Sequence, residues 1–123
     1  MTTQNNNHDG VRSTLEQYFK GHATNDATQM REAFLPTAHI EGFREAQFYT
    51  WTLEEYCKIF IGNPAADEHS RCRTIDLIDV SGKSAIARAT LVHGAVTFTD
   101  HFVLLEIDGV WKIANKTFYG KAN

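Results

Sequence analysis

The chain has 123 residues, 42% of them hydrophobic and 22% charged, with a formal net charge of −3. That length fits one domain that buries roughly two thirds of its unfolded surface, and the balance is that of a folded globular chain, not a disordered one. The acidic balance without a basic stripe speaks against nucleic acid as a partner, and no apolar run approaches the ~18 residues of a membrane span. The N-terminus lacks a basic-then-apolar signal pattern, so a cytoplasmic location is expected.

Residues 1–8 are polar and are expected to form a disordered tail, leaving 9–123 as a single domain. Asp9 is placed to cap a first helix. Val11, Leu15, Tyr18 and Phe19 recur at helical spacing and form its apolar stripe, which runs to about His22. Asn25-Asp26 interrupts the pattern. Asp26 or Thr24 is placed to cap a second, shorter helix through Met30, Phe34 and Leu35, which Pro36 ends. Ala38, Ile40 and Gly42 then alternate with His39 and Glu41, the pattern of a short edge strand. Residues 43–50 show no clean period and read as a loop or a short hairpin. Thr52 and Glu55 form a capping box that opens a third helix. Leu53, Tyr56, Cys57, Phe60 and Ile61 supply its apolar face, and Gly62-Asn63-Pro64 stops it.

The rest of the chain reads as β. Four strands are expected at roughly 70–80, 84–93, 96–107 and 110–119, separated by turns at Ser81-Gly82-Lys83, Gly94 and Asp108-Gly109. Each connection is short, so neighbouring strands should be antiparallel. Asp108-Gly109 is the strongest of these signals, because a type I′ turn needs positive φ at both central positions. Both faces of this last hairpin are largely apolar, which places it centrally in its sheet. Trp111 and Ile113 are expected on one face of the final strand, and Ala114, Lys116 and Phe118 on the other. Helices segregated from an antiparallel sheet define an α+β fold.

Three polar groups stand among the apolar residues of the hairpin: Asp100, His101 and Lys116. His101 shares a face with Val103 and Leu105. There it is either a titratable group in an apolar cavity or a histidine at the sheet margin. Lys116 either points into the cavity or runs its stem along apolar surface and leaves its ammonium in water. In a cavity without a nearby acid its pKa should fall, and Lys116→Met should leave the fold intact or stabilise it. Asp100 alternates away from His101 and is expected outside, paired with Arg88. Trp51 belongs to an aromatic-rich segment with Phe43, Phe48 and Tyr49, suited to a pocket mouth or to core filling. Cys57 reads as a small core residue, and Cys72, between Arg71 and Arg73, as a structural or an activated thiol. His39 and Glu41 make too weak a pattern for a metal site. No Ser-His-Asp set, P-loop or dinucleotide glycine motif is present, so no cofactor is expected.

The element order over residues 9–119 resembles the nuclear-transport-factor-2-like superfamily, which includes ketosteroid isomerases, scytalone dehydratase and polyketide cyclases. The run from Asp100 to Lys116, with Leu104-Leu105, Asp108-Gly109, Trp111-Lys112-Ile113 and Asn115-Lys116, is similar to the pattern of its lumazine-binding branch. The resemblance implies a cone: three N-terminal helices packed on a curved, mostly antiparallel sheet, with an apolar pocket between them and usually a homodimer. In the comparison with ketosteroid isomerases, Tyr18 falls on the tyrosine that donates to the oxyanion. The general base falls at or beside Gly42, and the neutral acid near Val103. Both acids are therefore missing, which argues against steroid isomerisation. The same comparison puts Lys116 and Phe118 on the pocket side.

Tyr18, Trp51, Tyr56, His101, Val103, Lys116 and Phe118 are thus the expected ligand-binding residues. Two functions fit. One is a protein that binds a small apolar or aromatic, possibly anionic, molecule, with or without weak acid-base catalysis. The other is a non-enzymatic dimeric domain whose cavity is filled by its own aromatics. Cavity volume separates them, since ligand pockets usually exceed roughly 300 Å³.

Overall fold

The computed structural model describes residues 3–123. Its elements in order are α1 (Thr3–Thr24), α2 (Ala27–Arg31), β1 (Phe34–Arg44), β2 (Gln47–Thr52), α3 (Leu53–Cys57), a 3-10 turn at Glu68–Ser70, β3 (Cys72–Ser81), β4 (Ser84–His93), β5 (Val96–Ile107) and β6 (Val110–Ala122). The six strands form one sheet in the order β2-β1-β6-β5-β4-β3. All neighbours are antiparallel except β1 and β6, which run parallel. The α+β class and the central position of the β5–β6 hairpin are as expected. Asp108 (φ 53°) and Gly109 (φ 80°) both adopt the positive φ that its turn requires. No helix among the described residues is long and apolar enough to cross a membrane.

The helices lie against one face of the sheet. Val11, Leu15 and Tyr18 of α1 are fully buried, with Ile40, Phe102, Leu104 and Ile113 among the core residues from the strands. Thr14 Oγ1 donates to the Trp111 carbonyl at 2.7 Å and ties α1 to β6. Ala85, Ala87 and Ala89 form a buried small-residue stripe on β4 that belongs to this core and does not line the main cavity. Cys57 is buried and Cys72 is exposed.

Several local expectations are corrected. Helix α1 begins at Thr3, so Asp9 lies inside it and is not its cap; of the expected tail, residues 1–2 lie outside the described residues. Asp26 does cap α2, accepting from the Thr28 and Gln29 amides, but α2 ends at Arg31. Phe34, Leu35 and Pro36 belong to β1. Pairing of β1 with β6 shifts register between Phe34 and His39, and Pro36, which has no amide hydrogen to donate, sits inside that irregular stretch. β1 is not an edge strand either. Residues 43–50 resolve into the β1–β2 hairpin, so β2 takes the edge and β1 lies between β2 and β6. The capping box at Thr52 is formed, yet α3 ends at Cys57 and not at Ile61. The chain turns there because Ile61 makes an antiparallel bridge to Asp26.

Candidate functional site

The burial pattern of β5 alternates strictly from Asp100 onward: Asp100, Phe102 and Leu104 are buried, while His101, Val103 and Leu105 are exposed. Strand β6 should continue this alternation, but its register against β5 shifts between Val103 and Leu104. Val103 pairs with Asn115 and Leu104 with Ile113, so Ala114 is an extra residue. Such a bulge moves the residues that follow to the opposite face. Trp111 and Ile113 are buried before it, and Lys116 is buried after it on the same side. Lys116 sits opposite Phe102, and residues directly opposite share a face.

This geometry reverses three expectations. His101 and Val103 lie on the outer face of the sheet, away from the cavity, and leave the candidate site. Asp100 points inward, not outward toward Arg88. The face assumed to separate Lys116 from Trp111 does not exist, because the bulge brings them together. Of the remaining expected residues, Tyr18, Trp51, Tyr56, Lys116 and Phe118 all line a single cavity of about 500 Å³ between the sheet and the helices. That volume lies within the usual ligand-pocket range.

The closed end of the cavity is polar. Tyr18 Oη donates to Asp100 Oδ2 at 2.5 Å, and Lys116 Nζ donates to Tyr18 Oη at 2.7 Å and to Tyr56 Oη at 3.0 Å. Lys116 Nζ also stands 3.7 Å from Asp100 Oδ2. Asp100 and Lys116 are only 1% and 4% exposed, so this is a buried ion pair. The ammonium lies 4.8–5.1 Å from the ring centres of Tyr18, Tyr56 and Phe118, within cation–π range. His22 is one helical turn after Tyr18 on α1, and its Nε2 is 2.9 Å from Tyr18 Oη. Tyr18 has a single hydroxyl proton, which it gives to Asp100. The His22 contact therefore requires the Nε2–H tautomer, with the imidazole donating.

Burial and charge set the titration of these groups. Desolvation works against the Lys116 ammonium, but Asp100 and the Tyr56 phenol outweigh it and raise its pKa. The expected fall is thus overturned by an acid that sequence reasoning had turned the wrong way. Burial raises the Asp100 pKa, with Lys116 and Tyr18 pulling against it. Burial and then the Asp100 charge raise Tyr18 well above the ordinary phenol value. Burial, reinforced by the Lys116 charge, pushes His22 well below the usual imidazole value.

A second network stands on the cavity wall. Arg73 binds both carboxylate oxygens of Glu68, at 2.6 and 2.8 Å, and donates through Nε to His93 Nε2 at 2.9 Å. His93 packs edge-on against His22, with ring centres 5.0 Å apart. Burial, then Arg73 and Arg71, lower the His93 pKa to about 4. A depressed folded-state pKa contributes stability above the unfolded value, and that stability is lost as pH falls toward the folded value. The melting temperature should therefore fall between about pH 6.5 and pH 4. His93 is partly solvent-exposed, so screening limits its share to about 1–2 kcal/mol. His93→Gln, which keeps an acceptor for Arg73, should flatten the curve in that window. Parallel curves for the two proteins would refute the assignment.

The open part of the cavity is aromatic. Trp51 stacks on Tyr49 at 5.2 Å and 19°, and on Phe118 at 6.0 Å and 14°. Tyr56, Phe60 and Phe98 complete the walls. Opposite Phe118 on β1 is Gly42, and a β-carbon there would run into the Phe118 carbonyl oxygen and ring. Glu41, next to Gly42 on β1, accepts from Thr50 on the hairpin at 3.1 Å.

Sequence reasoning missed Asp100, His22 and His93 as site residues. His22 was legible, since it follows Tyr18 by four positions on the same helical stripe. No group of three or more His, Cys, Asp or Glu residues among the described residues is arranged to hold a metal ion.

Over residues 6–119 the sequence matches the profile of a family described as "Putative lumazine-binding". No curated protein matches it. A crystal structure of an NTF2-like protein of unknown function from Shewanella baltica is similar over the whole of both chains, with 25% identity and a TM-score of 0.85. Another, from Silicibacter pomeroyi, has 18% identity and a TM-score of 0.82 over 96% of this chain and 98% of that one. A ketosteroid isomerase-like protein from Erwinia carotovora atroseptica has 11% identity and a TM-score of 0.70 over 91% and 94%.

Proposed function

The chain belongs to the "Putative lumazine-binding" family of the NTF2-like superfamily, and from that premise we propose that its cone binds a small, planar, aromatic molecule. The observation that carries this reading is an aromatic-walled cavity of about 500 Å³ that ends on the buried Tyr18–Asp100–Lys116 network. Stacked rings at the walls suit a flat ligand. The charges of Asp100 and Lys116 compensate each other, so the closed end suits a hydrogen-bonding ring edge and not a bare anion. Both contacts of Asp100 use Oδ2, which leaves Oδ1 to accept from a ligand N–H or O–H. A self-filled cavity is disfavoured by the volume that the aromatics leave open.

Calorimetric titration with lumazine and with 2-naphthylmethanol tests this reading. Both are flat bicycles with a polar edge. At least one should bind with a Kd below about 1 mM, and Trp51→Ala should weaken it about tenfold or more by removing a stacking wall. Absence of binding by either bicycle would overturn the reading.

We also propose that a second copy covers the outer face of the sheet. Leu77, Ile86, Val103 and Leu105 stand there 40–48% exposed. Exposed apolar patches of this kind mark association surfaces. Sedimentation at micromolar concentration should show a dimer that Ile86→Glu converts to monomer. A wild-type monomer would refute it.

A further inference from the structure

We infer that the ligand of this cavity also carries an anionic oxygen group, a carboxylate or a phosphate, held at the cavity mouth between Arg44 and Arg71. The inference rests on the binding function proposed above and adds a second subsite to it.

Arg44 and Arg71 reach the mouth from distant parts of the sheet. Arg44 ends β1, four residues after Ile40 and two after Gly42, and so continues the strand face on which these two residues are buried. Arg71 immediately precedes β3, the strand at the far edge of the sheet. Both nevertheless line the same cavity. Arg44 is exposed and makes no ion pair among the described residues. Arg71 is tied to Asp67 by its Nε at 3.0 Å, which positions the group.

The charge inventory of the cavity points the same way. Its lining contains Lys116, Arg44 and Arg71 but only one carboxylate, Asp100, and Asp100 is already matched by Lys116. Of the two guanidiniums at the mouth, Arg44 makes no ion pair among the described residues, and Arg71 meets Asp67 only through Nε, although the whole chain is acidic with a formal charge of −3. A guanidinium fork suits a carboxylate or a phosphate, and a positive mouth on an acidic protein draws such ligands in.

The test compares a matched set of probes on the full chain by calorimetry: neutral 2-naphthylmethanol, 2-naphthoate and 2-naphthyl phosphate. The ring is common to all three, so their affinity ratios isolate the charged subsite. At least one anion should bind about tenfold tighter than the neutral probe at low salt, and the advantage should shrink in 0.5 M salt. The comparison of naphthoate with naphthyl phosphate identifies which oxyanion the mouth prefers. Arg44→Gln and Arg71→Gln should each reduce the anion-to-neutral ratio several-fold. Anions that bind no better than the neutral probe, or a ratio unmoved by both substitutions, would overturn the subsite while leaving the aromatic cavity standing. Failure of lumazine as well as all three probes to bind would instead remove the binding function and this inference with it.

Discussion

Replacing Asp100 by alanine is expected to destabilise the protein by about 3–5 kcal/mol, because it leaves the Lys116 ammonium buried without its counter-charge. For a domain of this size that corresponds to a fall in melting temperature of roughly 10–20 °C. The neighbours cannot substitute. Tyr18 and Tyr56 offer only neutral oxygens, and Tyr18 would lose the acceptor that its proton now uses. Lys116→Met should cost less, since the Asp100 it strands can take up a proton, a response that burial already favours. Its cost should grow with pH as that proton becomes harder to hold. This reverses the stabilisation expected of Lys116→Met when no acid was placed beside it. The double variant Asp100→Ala/Lys116→Met should be more stable than the sum of the single losses predicts, and urea denaturation of the four proteins measures the coupling. A loss below about 1 kcal/mol for Asp100→Ala would show that the pair is not an energetic unit.

The pair also defines a pH limit at the alkaline end. The folded-state pKa of Lys116 is raised above its unfolded value. Its contribution is therefore complete below the unfolded value, near pH 10.5, and is lost as pH rises through the folded one. Asp100 is raised as well, so acid does not strip this site in the way it strips an ordinary surface ion pair. Acid sensitivity belongs instead to His22 and His93.

What the sequence revealed depended on whether a signal was local. The Asp108-Gly109 turn, the Asp26 cap and the capping box at Thr52 and Glu55 are set by a few adjacent residues, and all three formed. The strands β3 to β6 follow from alternating patterns between turn residues. The errors arose where a distant partner overrode the local pattern. Pro36 would end a helix, yet β6 pairing recruits Phe34 and the residues from His39 onward into a strand, with the proline in the irregular gap. The third helix stops early because Ile61 bridges to Asp26. The most consequential error came from one residue. Ala114 bulges out of the β5–β6 ladder, and without that shift Lys116 and Asp100 fall on opposite faces. Nothing in the Trp-Lys-Ile-Ala-Asn-Lys run marks a bulge, since none of these residues is a glycine or a proline. The site was half legible: the aromatics and Lys116 were found, but their acid partner and the neighbouring histidines were not.

Gly42→Asp is expected to lower stability by about 3 kcal/mol or more and to create no double-bond migration in a ketosteroid assay. Gly42 occupies the position where the resemblance to ketosteroid isomerases would put the general base, so the substitution asks whether the shared fold is enough to host that chemistry. The geometry answers through the β1–β6 pairing. Gly42 lies directly opposite Phe118, and any β-carbon would meet the Phe118 carbonyl oxygen and ring. The carbonyl belongs to the backbone of a central strand and cannot move without disturbing the ladder. Phe118 is also the ring on which Trp51 stacks, so pushing it aside disrupts the aromatic wall. A carboxylate at this point would be forced against that wall, and Lys116 is not free to receive it because it is committed to Asp100, Tyr18 and Tyr56. Gly42→Ala separates the two costs: it should show the steric part, about 1–3 kcal/mol, without the charge. A Gly42→Asp protein as stable as wild type, or one that isomerises a ketosteroid, would mean that β1 is not held against Phe118.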